Sequence, residues 1–106
     1  MSGSGGSYLA PSTPASSCLT LAFNTQLASP KALVVNQLAV NDLLDVVFSS
    51  TNNQQTVVAL YNGQEAGGIV DTRLSQLRNC LNDDEQYQAK VLQITGGQVT
   101  VRVFHV

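Results

Sequence analysis

The stretch that decides the fold is YQAKVLQITGGQVTVRVF, residues 87–104. Apolar and polar residues alternate on both sides of Gly96-Gly97, a pattern typical of two β-strands. A Gly-Gly pair between such runs indicates a two-residue hairpin turn, because glycine reaches the positive φ angles that the turn requires. The sequence therefore predicts a β-hairpin close to the C-terminus.

The two strands of this hairpin match each other only if one of them contains an extra residue. Pairing outward from the turn places Ile94 opposite Val99, but strict alternation then puts Lys90 beside Val103 on the buried face. A β-bulge at Leu92-Gln93 removes the conflict, because it moves every residue beyond it to the other face of the sheet. We therefore predict a bulge there, with Lys90 pointing outward.

The composition limits the fold and the kinds of partner. The 106 residues provide for one small domain, with 43% hydrophobic and only 11% charged residues. The net charge of −2 argues against tight, non-specific binding of a polyanion, since that affinity comes from neutralising phosphates. A local basic patch remains compatible with these numbers.

The chain divides into a tail and a domain. Residues 1–16 are mostly Gly, Ser and Pro, which predicts a flexible tail, and residues 17–106 are expected to form the domain. No run approaches the roughly 20 apolar residues of a membrane span, and no secretory signal is recognisable, so a cytoplasmic location is expected. In that reducing location Cys18 and Cys80 are expected to be buried free thiols, and a disulfide between them is the alternative.

The remaining elements follow from periodicity and turn residues. Asn62-Gly63 predicts a second hairpin, and a glycine pair at 67–68 indicates a bulge or a close backbone approach within its second strand. Ser29-Pro30 predicts the start of a short helix, and Asp71 or Thr72 the start of a clearer one that ends near Asn82. Strands are expected over 17–23, 44–48, 56–61 and 64–70, and a polar loop over 49–55.

Catalytic and metal-binding patterns are weak. The single histidine, His105, is the penultimate residue, so a hydrolase that used Cys80 or a serine would need His105 to be ordered inside a pocket. The two cysteines and this histidine lack the spacing of a metal site. We expect no catalytic residue, no metal and no cofactor, and hence a protein that is not an enzyme.

The candidate binding residues lie on the outer face of the C-terminal hairpin. With the bulge in place, Lys90, Arg102 and Phe104 share that face, where cations adjoin an aromatic ring that can stack a base. Tyr61, beside the Asn-Gly turn, can add a second stacking group. An ordinary solvated face with scattered charge is the alternative interpretation.

The succession of elements over residues 43–104 resembles the HIRAN domain. The similar features are a loop with Asn52 and Asn53, the strand TVVALYNG, the glycine-bearing strand AGGIV, a helix, and then YQAKV. The resemblance implies a small β-barrel with helices, found with DNA-processing enzymes, that binds single-stranded DNA ends.

Together these features predict an α+β domain. We expect a small antiparallel β-barrel or curled sheet of about six strands, with one well-marked helix and one shorter helix. The expected function is a non-catalytic binding module for a protein partner, without contact to a membrane. The alternative is HIRAN-like recognition of single-stranded DNA or nucleic-acid ends.

Overall fold

The computed structural model describes residues 15–49 and 56–106. These residues form one sheet of six antiparallel strands in the order β1-β6-β5-β2-β3-β4, with three short helices. The predicted α+β fold is confirmed as a curled sheet that is not closed into a barrel. The strands are β1 (Ala22–Gln26), β2 (Leu43–Phe48), β3 (Val57–Tyr61), β4 (Gln64–Gly68), β5 (Tyr87–Thr95) and β6 (Gln98–His105), and the helices are α1 (Ala15–Thr20), α2 (Ala32–Val35) and α3 (Leu74–Asn82).

The C-terminal hairpin, β5 and β6, has the predicted turn and the predicted bulge. Gly96 and Gly97 both adopt positive φ angles, 57° and 88°, as a tight hairpin turn requires. The register shifts between Val91 and Gln93, so Leu92 has no partner in β6. Lys90 is exposed, which confirms the outward direction that the bulge was predicted to give it.

The inner face of the curled sheet carries the hydrophobic core. Alternation along each strand directs one set of side chains inward, and α3 covers them with the fully buried Leu77. Leu74 and Leu81 of α3 also pack against the core. The strand residues of this core are Phe23, Leu44, Val46, Val57, Ala59, Ala66, Tyr87, Ala89, Val91, Val99, Val101 and Val103.

The two edge strands, β1 and β4, approach each other without pairing as strands. Immediately after β1, Ala28 forms an isolated bridge with Gly68, with backbone hydrogen bonds of 2.9 and 2.8 Å. Close by, the Lys31 N–H donates to the Ala66 carbonyl at 2.8 Å. A Cβ on Gly67 would lie 2.9 Å from the Leu27 Cβ, so the predicted close backbone approach at this glycine pair is confirmed.

The prediction of a strand over residues 17–23 is wrong in its first half. Residues Ala15–Thr20 form α1, and β1 begins only at Ala22. The alternating pattern was misleading because a tertiary contact determines the local structure. The helix places Cys18 against α3 and the Tyr87 hydroxyl, and Cys18 is only 1% exposed.

The predicted start of α2 at Ser29-Pro30 is also wrong. Ser29 has a left-handed φ of 47°, and the helix begins at Ala32, with Lys31 as an N-cap residue that makes no side-chain cap. The chain must first bond to β4 through Ala28 and Lys31. The helix therefore starts only after this connection is complete.

The expectation of two free thiols is wrong. Cys18 and Cys80 form a disulfide across a sequence separation of 62 residues, with Cα atoms 5.6 Å apart. In the chain-entropy account, a cross-link that closes a loop of this size contributes about 4 kcal/mol to stability. The bond joins α1 to α3.

Parts of two predicted segments lie outside the described residues. These are positions 1–14 of the predicted tail and positions 50–55 of the predicted polar loop. Within the described ranges, no helix has the length and apolar character needed to cross a membrane.

Two neighbouring glycines provide a matched test of the close contact between β4 and the segment after β1. Gly67→Ala should lower the free energy of unfolding by about 1–3 kcal/mol, because the new methyl group is forced against Leu27 and the Ala28 carbonyl. Gly68→Ala should stay within about 0.5 kcal/mol of the wild type, since its Cβ meets nothing nearer than 3.8 Å. Urea denaturation measures both. Equal effects of the two substitutions would contradict the close approach at Gly67.

Candidate functional site

Three of the four predicted binding residues lie together on the outer face of the C-terminal hairpin. Lys90 and Arg102 are directly opposite each other in the β5–β6 register, and both are exposed. Phe104 follows on the same face of β6 and is partly exposed. We call these three residues the hairpin patch.

Residues of two further strands extend the hairpin patch sideways. Asn24 of β1 pairs with Arg102, and Leu43 of β2 pairs with Lys90, so the four residues form one row across four strands. The Arg102 Nη1 donates to the Asn24 Oδ1 at 3.2 Å. Local sequence patterns could not identify Asn24 and Leu43 as part of the site, because their position depends on pairing between distant strands.

The two cations of the hairpin patch have no carboxylate partner among the described residues. Among these residues, the close contacts between a basic and an acidic side chain join Arg73 to Asp71 and His105 to Glu85. Opposed like charges on neighbouring strands are unfavourable by roughly 0.2–1 kcal/mol, which a folded domain tolerates. A carboxylate placed over Lys90 and Arg102 removes this repulsion.

Two apolar residues lie next to the charged pair, one across the strands and one along β6. Leu43 is 51% exposed at one end of the row. Phe104 lies two residues further along β6 than Arg102, opposite Gln88. The hairpin patch therefore offers positive charge with apolar contact area beside it, a combination suited to an anionic and partly apolar surface.

The structure does not bring Tyr61 to this face. Tyr61 ends β3, is partly buried and packs against the core on the inner face of the sheet. It is separated from β5 by β2. Tyr61 and Phe104 therefore do not form a common stacking surface.

A cleft of about 450 Å³ adjoins the hairpin patch. Gln88, the cross-strand neighbour of Phe104, forms part of its wall. Val47, Phe48 and Leu60 supply apolar walls, and Asp45 supplies a carboxylate. The cleft can accept an apolar side chain from a molecule that lies across the hairpin patch.

His105 is held in a pair of side-chain contacts at the end of β6. Its Nε2 lies 2.6 Å from the Glu85 Oε1, and its ring meets the Tyr87 ring edge to face with centroids 5.3 Å apart. The Tyr87 hydroxyl donates to the Cys18 carbonyl. Burial, and secondarily the charge of Glu85, raises the pKa of Tyr87 to about 12.

These contacts fix the orientation of His105. Cys80 is oxidised in the disulfide and has no thiolate to offer. In the described part of the chain, no group of three or more His, Cys, Asp or Glu side chains is arranged to hold a metal ion.

Comparison of the chain with protein-family models, with curated proteins and with solved structures found no match.

The buried Tyr87 predicts a specific alkaline loss of stability. Its pKa is about 12 in the folded chain and 10.0 when solvated, so ionisation favours the unfolded chain. The contribution of the neutral Tyr87 side chain to the free energy of unfolding is complete below pH 10 and is lost as the pH rises toward 12. In urea denaturation, the free energies of unfolding of the wild type and Tyr87→Phe should keep a constant difference below pH 10 and converge above it. Parallel curves up to pH 12 would contradict this environment for Tyr87.

Proposed function

We propose that this chain is a non-catalytic binding module whose hairpin patch docks a protein partner. The observation that carries the proposal is the exposed pair of Lys90 and Arg102, opposed across two strands with no carboxylate partner among the described residues. A partner with an acidic side chain satisfies both cations at once. Leu43 and Phe104 then supply the apolar contact beside this charge pair.

The cleft supports an extended contact of this kind. It begins at Gln88, next to Phe104, so a segment crossing the hairpin patch reaches it directly. Binding energy in protein interfaces is concentrated in a few anchoring side chains that fill pockets. The partner is therefore expected to place an acidic group over the cations and an apolar group in the cleft.

Single-stranded DNA is the second candidate partner, and the HIRAN-like succession of elements favours it. The hairpin patch has one aromatic ring and two cations. Two phosphate contacts on a single strand give a salt slope of about −1.4, which means a loss of roughly sevenfold in affinity between 50 and 200 mM salt. Such binding is weak and non-specific. The net charge of −2 weakens it further, so the protein partner is the leading proposal.

The test compares substitutions in the hairpin patch with a matched cation elsewhere. Lys90→Thr and Arg102→Thr keep a strand-forming residue while removing the charge. Lys31→Thr removes an exposed cation outside the hairpin patch. The purified tagged chain should capture a protein partner, and each patch variant should lower the affinity about tenfold, as expected for anchoring residues. Lys31→Thr should bind like the wild type.

A fluorescently labelled single-stranded oligonucleotide is titrated in parallel at about 50 mM salt, where phosphate contacts are least screened. We expect no saturable binding. Capture of the partner by both patch variants at wild-type affinity would contradict the proposed surface. Saturable oligonucleotide binding that Arg102→Thr abolishes would replace the protein partner with DNA.

A further inference from the structure

The N-terminal helix α1 depends on a single buried residue. Isolated helices shorter than about 12–15 residues are marginal in water, so the six residues of α1 need tertiary contacts to stay helical. Between Ser17 and Thr20, only Cys18 is fully buried, whereas Leu19 is 57% exposed. The position of α1 on the domain is therefore determined by what holds Cys18.

Two bonds converge on Cys18. Its sulfur is joined to Cys80 of α3, and its backbone carbonyl accepts the hydrogen bond from the buried Tyr87 hydroxyl. Without the disulfide, this hydrogen bond and the noncovalent contacts of α1 with α3 and β6 remain. A typical hydrogen bond contributes far less to stability than the cross-link does, so the covalent bond dominates.

When α1 is docked, it also shields the Cys18–Cys80 disulfide that holds it in place. Cys18 is 1% exposed and Cys80 is not exposed at all. Thiol–disulfide exchange requires a thiolate to reach one of the two sulfurs through a mixed disulfide. A reductant in solution therefore has no direct access while α1 is docked.

We propose that α1 docks on the domain only when the Cys18–Cys80 disulfide forms. The docked helix then protects that disulfide from reductants. On closing, the two thiols release two protons and two electrons to a disulfide oxidant, which leaves as two thiols. Such oxidants maintain structural disulfides in oxidising compartments. The proposal therefore assigns maturation of this domain to such a compartment, in contrast to the cytoplasmic location expected from the sequence.

The first test uses the oxidised wild-type chain. Its reduction by dithiothreitol should be at least a hundredfold slower under native conditions than in denaturant, because both sulfurs are buried. Equal rates in the two conditions would overturn the shielding. This measurement needs no variant and does not depend on how any variant folds.

The second test compares the oxidised wild type with the Cys18→Ser/Cys80→Ser double variant by amide hydrogen exchange. In the variant, residues 17–21 should be at least tenfold less protected than β5 and β6, because α1 opens while the sheet is still folded. The pKa of Tyr87, followed by ultraviolet absorbance, should fall from about 12 toward 10 as its hydroxyl becomes solvated. Leu19→Ser, a change at an exposed position of α1, serves as the control and should leave all three readouts unchanged.

Two outcomes would overturn the proposal. Equal protection of residues 17–21 and of β5 and β6 in the double variant would show that α1 stays docked without the bond until the whole domain unfolds. A double variant that is unfolded, with β5 and β6 unprotected, would show that the disulfide holds the whole domain rather than α1. The first result does not bear on the hairpin patch, because Cys18, Cys80 and Tyr87 lie outside it.

Discussion

The pairing of β5 with β6, shifted by one residue at Leu92, is the constraint on which both faces of the sheet depend. Without the shift, the alternation of β5 would direct Lys90 into the core opposite Val103. With it, apolar residues of both strands share the inner face, and Lys90 and Arg102 share the outer face. Burial of an unpaired ammonium group is far more costly than a single irregularity in a ladder. Packing of the core and formation of the hairpin patch are thus two consequences of one bulge.

The hairpin also determines where the rest of the chain must go. β1 pairs with β6, and β2 pairs with β5, so the hairpin forms the middle of the sheet and the curvature brings β1 and β4 toward each other. The gap between these two edges is bridged through Ala28 and Gly68, close to the glycine that admits Leu27. The helix α3 covers the inner face, and the disulfide fastens α1 to α3.

The sequence was sufficient where short-range rules determine the structure. Gly96-Gly97, Asn62-Gly63 and the mismatch that led to the Leu92 bulge are all visible within a few residues. The sequence was insufficient where contacts between residues far apart in the chain determine the local structure. Alternation in residues 17–23 predicted a strand, yet the contact of Cys18 with α3 makes the first part helical.

The same limit applies to the candidate site. The outward positions of Lys90, Arg102 and Phe104 followed from the bulge, which is a local feature. The placement of Asn24 beside Arg102 follows from a pairing between β1 and β6, almost the full length of the domain apart, which no local pattern encodes. For the same reason, the inner position of Tyr61 was not evident from its place beside a turn.

The central claim is the shifted register, and nuclear Overhauser contacts between Hα protons test it most directly. Val91 directs its N–H and carbonyl to residues 41–42, so its pair with Val101 is not hydrogen-bonded and its Cα lies about 4.5 Å from that of Val101. The account predicts a strong Hα–Hα contact between Val91 and Val101. Contacts of Leu92 with Val101 and of Lys90 with Val103 would instead show an uninterrupted ladder and contradict it.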